Sequence, residues 1–217
     1  MSSHEHLGPL PAGSSVHHIV WLPPNRSNFE ATARPWVCTQ VHVVARPISV
    51  EFGHNVWEFF LEVDVGSRGT RISYLQIGFG HYGDDPPGPG TGRGRGSHFL
   101  ALRIMERTRD DMNQMAEAVR SIPFDGPRRV TVGEVIDALV THGNRQRYIL
   151  PSWWDGEVRG NRAWIADQLD LFWKLDFIND PMPIRSVQLA MQWKWSGRQP
   201  VTHRQPEIGS MDSTMIV

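Results

Sequence analysis

The segment "HNVWEFFLEVDV", residues 54–65, constrains the fold of this chain more than any other. Successive side chains of a β-strand point to opposite faces, and this segment has one strongly apolar face of period two. That face consists of Trp57, Phe59, Leu61 and Val63, and the opposite face of His54, Val56, Glu58, Phe60 and Glu62. The turn signal "GSRG" at 66–69 precedes "TRISYLQIGF" at 70–79, which predicts a returning strand. The sequence therefore predicts an antiparallel meander.

Two more segments predict strands in the same sheet. Residues 36–46, "WVCTQVHVVAR", alternate between apolar and polar side chains, and 97–105, "SHFLALRIM", are also strand-like. Together with the helices below, these strands predict an α+β fold. We expect a single domain with a mostly antiparallel sheet of four or five strands, packed by two or three helices.

Helical spacing of apolar residues marks two segments in the middle of the chain. Residues 109–122, "RDDMNQMAEAVRSI", have apolar side chains at helical intervals. Residues 130–143, "VTVGEVIDALVTHG", have an apolar helical face, and Thr131 and Glu134 have the spacing of a capping box. The segment 186–195, "SVQLAMQWKW", is compatible with either a helix or a strand.

Composition divides the chain into a predicted core and two predicted tails. Residues 1–35 are rich in Pro, Ser, Gly and His and predict a flexible N-terminal arm. The α+β domain is expected over 36–196, and 197–217 are expected to form a flexible C-terminal tail. Within the domain, the Gly/Pro-rich segment 83–96 predicts a surface loop, with a lid over a ligand site as the alternative.

Charge and composition exclude several classes of partner. With 22 basic and 23 acidic residues, the net charge of -1 offers no electrostatic basis for binding nucleic acid or an anionic membrane. No apolar run reaches the roughly 20 residues that span a bilayer, and no secretory signal is visible, so a cytoplasmic protein is expected. The single Cys38 excludes an internal disulfide and is expected to be buried. A homodimer is compatible with the sequence.

Two residue types bear on ligands. Nine tryptophans are more than a core of this size needs, and they suit a pocket for a small apolar or aromatic substrate. The ten histidines lack the spacing of metal ligands, so we expect neither a metal nor another cofactor.

Three segments, taken in order, resemble a known family. They are "NVWEFFLEV", "VTVGEVIDALVTHGNRQRY" and "RGNRAWIADQL". They resemble a poorly characterised family of small fungal proteins, in which the strand typically reads Asn-His-Trp and the late helix begins Gly-Cys-Arg-aromatic-Trp. The resemblance covers about residues 36–178. It implies a permuted papain-like or NlpC/P60-like α+β arrangement, in which a strand histidine faces a cysteine at a helix N-terminus.

This sequence departs from the family pattern at both reactive positions. The histidine position falls on Val56 and the cysteine position on Asn161, so the resemblance implies that a cysteine nucleophile is absent. Asn161 is either a helix N-cap or an amide that donates a hydrogen bond to a substrate oxygen. The predicted catalytic residues are His54, Glu58, Asn161 and Arg162.

Aromatic side chains near these positions predict the walls of a cleft. The predicted substrate-binding residues are Val56, Trp57, Tyr74, Trp153, Trp154 and Trp164. Trp57 and Trp164 also suit a place in the core. His54 and Glu58 also suit a solvent-facing strand position.

The resemblance and the tryptophans together suggest a function. We expect a fungal secondary-metabolism enzyme that catalyses a cofactor-free cyclisation, isomerisation or pericyclic-type rearrangement in a Trp-lined cleft. The alternative is a non-catalytic ligand-binding or interaction protein derived from a degenerate cysteine hydrolase. A hydrolase with an unusual nucleophile is the least supported, because Ser152 is the only nearby hydroxyl and has no evident base partner.

Overall fold

The computed structural model of the chain describes residues 19–22, 28–47, 55–66, 72–81, 98–141, 147–150 and 161–203. Its elements, in chain order, are β1 (Ile19–Leu22), α1 (Phe29–Ala33), β2 (Val37–Arg46), β3 (Val56–Asp64), β4 (Ile72–His81), β5 (His98–Arg107), α2 (Arg109–Met115), β6 (Ala118–Pro123), β7 (Val130–Thr131), α3 (Val132–Thr141), β8 (Arg147–Leu150), α4 (Asn161–Lys174), α5 (Met182–Ala190), β9 (Trp193–Ser196) and β10 (Gln199–His203).

The main sheet has the strand order β1-β5-β4-β3-β2-β6, with β7 also paired to β2 and β8 to β5. Within the described residues β1 runs parallel to β5 and the other pairs are antiparallel, while β9 and β10 form a separate hairpin. The predicted α+β fold with a mostly antiparallel sheet is confirmed. The sheet is larger than the predicted four or five strands, because β1, β7 and β8 are too short to show an alternating pattern and β6 lies in a segment with helical spacing.

The two predicted faces of β3 are confirmed. Its odd-numbered residues lie in the main core, where Phe59 contacts Trp164 and Phe172 of α4 at ring-centroid distances of 5.4 and 5.9 Å. On the opposite face a smaller apolar cluster contains Phe60 and Met112. Because α4 packs on one face of the sheet and α2 on the other, the two faces carry separate apolar clusters.

A bulge in β2 accounts for the burial of Cys38. Cys38 pairs with Val63 but Gln40 pairs with Glu62, so β2 has one extra residue at this point. The extra residue resets the alternation, and both Cys38 and Val41 therefore face the main core. The predicted buried thiol is confirmed, and burial raises the pKa of Cys38 well above its usual value.

Several predicted boundaries need correction. The helix expected over 109–122 ends at Met115, and β6 follows it because its backbone pairs with β2. The segment 186–195 contains the end of α5 and most of β9, so it is partly helix and partly strand. The capping box of Thr131 and Glu134 is confirmed, with the Thr131 N–H donating to Glu134 Oε2 at 2.8 Å.

The ordered structure also extends into both predicted tails. Within residues 1–35, β1 pairs with β5, and Phe29 and Ala33 of α1 are buried in the core. After residue 197, β10 pairs with β9. Strand pairing therefore includes β1 and β10, which lie within the two predicted tails.

Candidate functional site

His42 lies on the second face of the sheet, opposite the main core, and contacts a serine on the neighbouring strand. It pairs directly with Ser121 in the β2–β6 register. The backbone N–H of Phe124 donates to the carbonyl of Thr39, so these two opposite residues form a hydrogen-bonded pair. Hydrogen-bonded and non-hydrogen-bonded pairs alternate along an antiparallel ladder, and three positions further along, His42 and Ser121 form a non-hydrogen-bonded pair. Side chains approach most closely in pairs of this second kind. His42 Nδ1 lies 2.7 Å from Ser121 Oγ, which is a short hydrogen bond.

The other ring nitrogen of His42 faces a carboxylate. His42 Nε2 lies 3.4 Å from Glu62 Oε2, within ion-pair distance, but no described residue forms a hydrogen bond with this buried nitrogen. Thr39 Oγ1 and Tyr74 Oη each donate to a carboxylate oxygen of Glu62 at 2.9 Å. These two hydrogen bonds hold the Glu62 carboxylate beside Nε2. We call Ser121, His42 and Glu62 the relay.

The protonation states of the relay follow from its surroundings. His42 is only 6% exposed, and this burial lowers its pKa although Glu62 opposes the effect. For Glu62, burial alone would raise the pKa, but hydrogen bonds from Thr39 and Tyr74 and the nearby His42 lower it overall. Burial and the hydrogen bond to Glu62 raise the pKa of Tyr74 to about 12. Near pH 7 the relay thus contains a neutral imidazole beside an ionised carboxylate.

A pocket of about 350 Å³ opens beside the relay. It lies along β6, between α2 and the β9–β10 hairpin, and both His42 and Ser121 line it. Ser121 is exposed, so its hydroxyl is accessible from the pocket while the imidazole behind it is buried. Of the remaining lining residues, half are apolar, from α2, β6 and Trp195, and half are polar or charged.

A second polar network surrounds Glu58, one of the predicted catalytic residues. Arg46 Nη1 lies 3.1 Å from both carboxylate oxygens of Glu58, and Gln76 Nε2 donates to Oε2 at 2.7 Å. Arg107 Nε in turn donates to Gln76 at 2.8 Å. Glu58 is buried, and its oxygens already accept these hydrogen bonds, so its position indicates cross-strand stabilisation.

Other predicted site residues lie in different environments. Trp57 and Trp164 are 0% and 2% exposed in the main core, the place that the sequence also suits, and they contribute large apolar area to it. Tyr74 lies in the relay, as the donor to Glu62, and Val56 is half-buried at the start of β3. Arg162, in the first turn of α4, is half-buried, and burial lowers its pKa.

The remaining predicted residues are only partly described. His54, Trp153 and Trp154 lie outside the described residues. Asn161 is the first residue of α4, and its side chain also lies outside the described part, so the N-cap and the amide-donor interpretations both stay predictions.

The predicted cleft between the 54–62 strand and the helix at Asn161 is not assembled as expected. Side chains alternate along β3, so Val56 and Glu58 face away from the surface on which α4 packs. The structure therefore does not bring Glu58 together with Arg162. It brings Tyr74 together with His42 instead, with their ring centroids 5.7 Å apart.

Asn55, the first residue of the segment "NVWEFFLEV", has a structural role. Its side-chain amide donates to Trp195 O at 3.0 Å, and its side-chain oxygen accepts from Trp195 N–H at 2.7 Å. These buried bonds join the start of β3 to β9, 140 residues away in sequence. Asn55 therefore positions Trp195, one wall of the pocket.

The comparisons with known proteins place the chain in a family. A family model described as Domain of unknown function (DUF7770) matches residues 41–210, well over half of the sequence. The chain belongs to the DUF7770 family. The matched segment of this DUF7770 protein contains the whole relay and Trp195, whereas β1 and α1 precede it. Neither the curated proteins nor the solved structures gave a match to the chain.

Two kinds of feature are absent from the described residues. No described helix of this DUF7770 protein is long and apolar enough to cross a membrane. In the same part of the chain no three histidine, cysteine, aspartate or glutamate side chains are grouped so that they could hold a metal ion.

The relay of the DUF7770 domain was not predicted from the sequence. His42 and Ser121 are separated by 79 positions, and Ser121 falls in a segment with helical spacing. The available signal was in "TQVHVVAR", where a histidine occupies the polar face of an otherwise apolar strand. That face meets Glu62 only once the β2–β3 register is known.

Proposed function

We propose that the protein is a cofactor-independent acyl-transfer enzyme, such as an ester hydrolase, with Ser121 as the nucleophile. The observation that carries the proposal is the contact of an exposed serine hydroxyl with a buried imidazole that is backed by a carboxylate, at the wall of a pocket. A serine activated by a base, with that base oriented by a third group, is the recurring arrangement for covalent catalysis.

The proposed reaction has two half-reactions. Ser121 Oγ attacks the carbonyl carbon of the substrate while its proton passes to His42 Nδ1, and Glu62 stabilises the imidazolium through Nε2. His42 then donates the proton to the departing alcohol, which leaves an acyl-serine. Water, deprotonated by His42, attacks the acyl group, and the proton returns to Ser121 as the carboxylic acid is released.

The electrostatics support this assignment of roles. A base must be unprotonated to accept a proton, and the lowered pKa keeps His42 neutral near pH 7. The ionised Glu62 favours the tautomer with the proton on Nε2, so the Nδ1 lone pair is directed at Ser121. The distance of 3.4 Å to Glu62 is long for a hydrogen bond, and such contacts often tighten when substrate binds.

Hydrolysis of 4-nitrophenyl acetate tests the proposal without knowledge of the natural substrate. We expect Ser121→Ala and His42→Gln each to lower the protein-dependent rate by about 100-fold or more. Ser186→Ala is the matched control, because Ser186 is exposed on α5, away from the pocket. Circular dichroism of each variant verifies its fold. Equal rates for Ser121→Ala, Ser186→Ala and the wild type would contradict the proposal.

A cofactor-free isomerisation or cyclisation is the second candidate. The apolar walls beside a neutral imidazole favour it, because such a base can remove a proton from a carbon acid without forming a covalent bond. Ser121→Ala would then keep most of the turnover of the true substrate, whereas His42→Gln would lose it. Ligand binding with no turnover in the wild type would favour a non-catalytic binding protein instead.

A further inference from the structure

The pocket beside the relay has a second feature, a set of arginines. Arg109, Arg120 and Arg198 line it, together with one carboxylate, that of Glu117. We propose that these arginines bind the carboxylate of a small acid whose apolar part lies against Trp195 and Met112. This proposal names the substrate class of the proposed function. Binding of the acid is argued from the pocket itself, and only its role as the substrate rests on the proposed function.

The three guanidinium groups are available for a ligand. No described carboxylate forms an ion pair with any of them, whereas Arg46 pairs with Glu58 elsewhere in the sheet. With His42 neutral, the pocket carries a formal excess of two positive charges, three arginines against one glutamate. The whole chain has a net charge of -1, so this excess is local.

Main-chain contacts hold two of these arginines in place. Arg120 Nη1 donates to Val119 O at 2.9 Å, and its guanidinium lies over the Trp195 ring, 4.9 Å from the centroid. Arg198 Nη2 donates to Asn113 O at 3.2 Å, which joins the β9–β10 turn to α2. Each guanidinium uses one such donor, and its remaining donors suit the two oxygens of a carboxylate.

The backbone at Arg198 adds an independent argument. Gly197 and Arg198 have φ values of 55° and 66°, as the two central residues of a type I′ hairpin turn require. Glycine or asparagine adopts such a φ with less strain than arginine. The turn therefore keeps an arginine with a strained backbone in the lining of the pocket, and strained residues of this kind concentrate at binding sites.

The walls define the rest of the ligand. Met112, Ala116, Val119 and Trp195 supply apolar lining, and the cavity of about 350 Å³ falls within the range of small-molecule sites. An aromatic or short aliphatic group fits such walls, while the arginines recognise the acid. The ligand class is thus a small aryl or alkyl carboxylic acid that carries the ester or other reacting group.

Binding of 3-phenylpropionate and of its neutral isostere 3-phenylpropionamide tests the inference. The titrations use the full-length Ser121→Ala variant, so that acyl transfer cannot contribute. We expect the acid to bind about tenfold or more tightly than the amide, because a charge-assisted hydrogen bond favours it. That preference should shrink as salt is raised from 50 to about 500 mM.

Substitutions in the pocket show which side chains cause the preference for the acid over the amide. Arg198→Gln and Arg120→Gln should weaken the binding of the acid about tenfold and leave the binding of the amide unchanged. Glu117→Gln should tighten acid binding, because it removes the one negative charge of the pocket. Arg185→Gln is the matched control, since Arg185 is exposed on α5 and does not line the pocket.

The outcomes separate this inference from the proposed function. Equal affinities for acid and amide, or arginine variants that bind like the control, would overturn the carboxylate site even if the wild type hydrolyses esters through Ser121. A clear acid preference in a protein without Ser121-dependent hydrolysis would support the carboxylate site and contradict the acyl-transfer proposal.

Discussion

At the scale of the residue, the protonation of His42 links the site to stability. The folded state lowers the pKa of His42, because the charged imidazole is costly to bury. In the unfolded chain the same group has a pKa near its usual value of about 6.5. Above that value both states are neutral and the group contributes nothing to pH dependence. As the pH falls below it, the unfolded state binds the proton first, and the folded state loses stability.

This loss of stability at low pH can be measured. Between pH 7.5 and pH 5.5 the free energy of unfolding of the wild type should fall more steeply than that of His42→Gln, by up to about 1 kcal/mol. Urea denaturation followed by circular dichroism at both pH values measures it. Parallel decreases in the two proteins would show that His42 is not the group responsible.

One close contact explains why a glycine occupies position 78. A Cβ atom at Gly78 would lie 2.8 Å from Glu58 Oε1 and 3.2 Å from Glu58 Cγ. We expect Gly78→Ala to destabilise the protein by about 1–3 kcal/mol, since the carboxylate would have to leave Arg46 and Gln76.

A double-mutant cycle tests the cause of that loss. On a Glu58→Ala background the obstructing atoms are gone, so adding Gly78→Ala should cost much less than it does alone. Urea denaturation of the four proteins gives the coupling. Additive effects of the two substitutions would contradict the contact.

At the scale of the element, the contact between β3 and β9 depends on Asn55. Its amide satisfies both the N–H and the carbonyl of Trp195 in a buried position. Replacement by leucine leaves two buried backbone groups without partners, so we expect Asn55→Leu to cost about 2–4 kcal/mol of stability. Asn179→Ala, at an exposed position, is the control and should change stability by less than about 0.5 kcal/mol. Chemical denaturation measures both, and equal losses would contradict this role of Asn55.

Elements with local sequence signals could be predicted, whereas those formed by long-range pairing could not. The alternation of β3 and the capping box of α3 are local signals, and each predicts its element correctly. The helical spacing of Met112, Met115 and Val119 extended the predicted helix too far. In the structure Val119 belongs to β6, because pairing with β2 outweighs local preference. Such long-range pairing also creates the relay, so sequence periodicity alone could not predict it.

At the scale of the whole molecule, the sheet separates two environments. The main core lies on the face covered by α4, while the relay and the Glu58 network lie on the other face. The resemblance to a permuted papain-like or NlpC/P60-like domain predicts a site near Val56 and Asn161, on β3 and α4. The pocket instead lies along β6, where α2 and the β9–β10 hairpin meet. Its tryptophan is Trp195, which the sequence did not single out.

Labelling with a fluorophosphonate tests the relay most directly, because such a probe phosphonylates a serine hydroxyl that a neighbouring base activates. Peptide mapping by mass spectrometry identifies the modified residue. The proposal predicts one adduct per chain, on Ser121, in the wild type and in Ser186→Ala, and at least about tenfold slower labelling in His42→Gln and Glu62→Gln. An unmodified Ser121, or a labelling rate unchanged in His42→Gln, would contradict it.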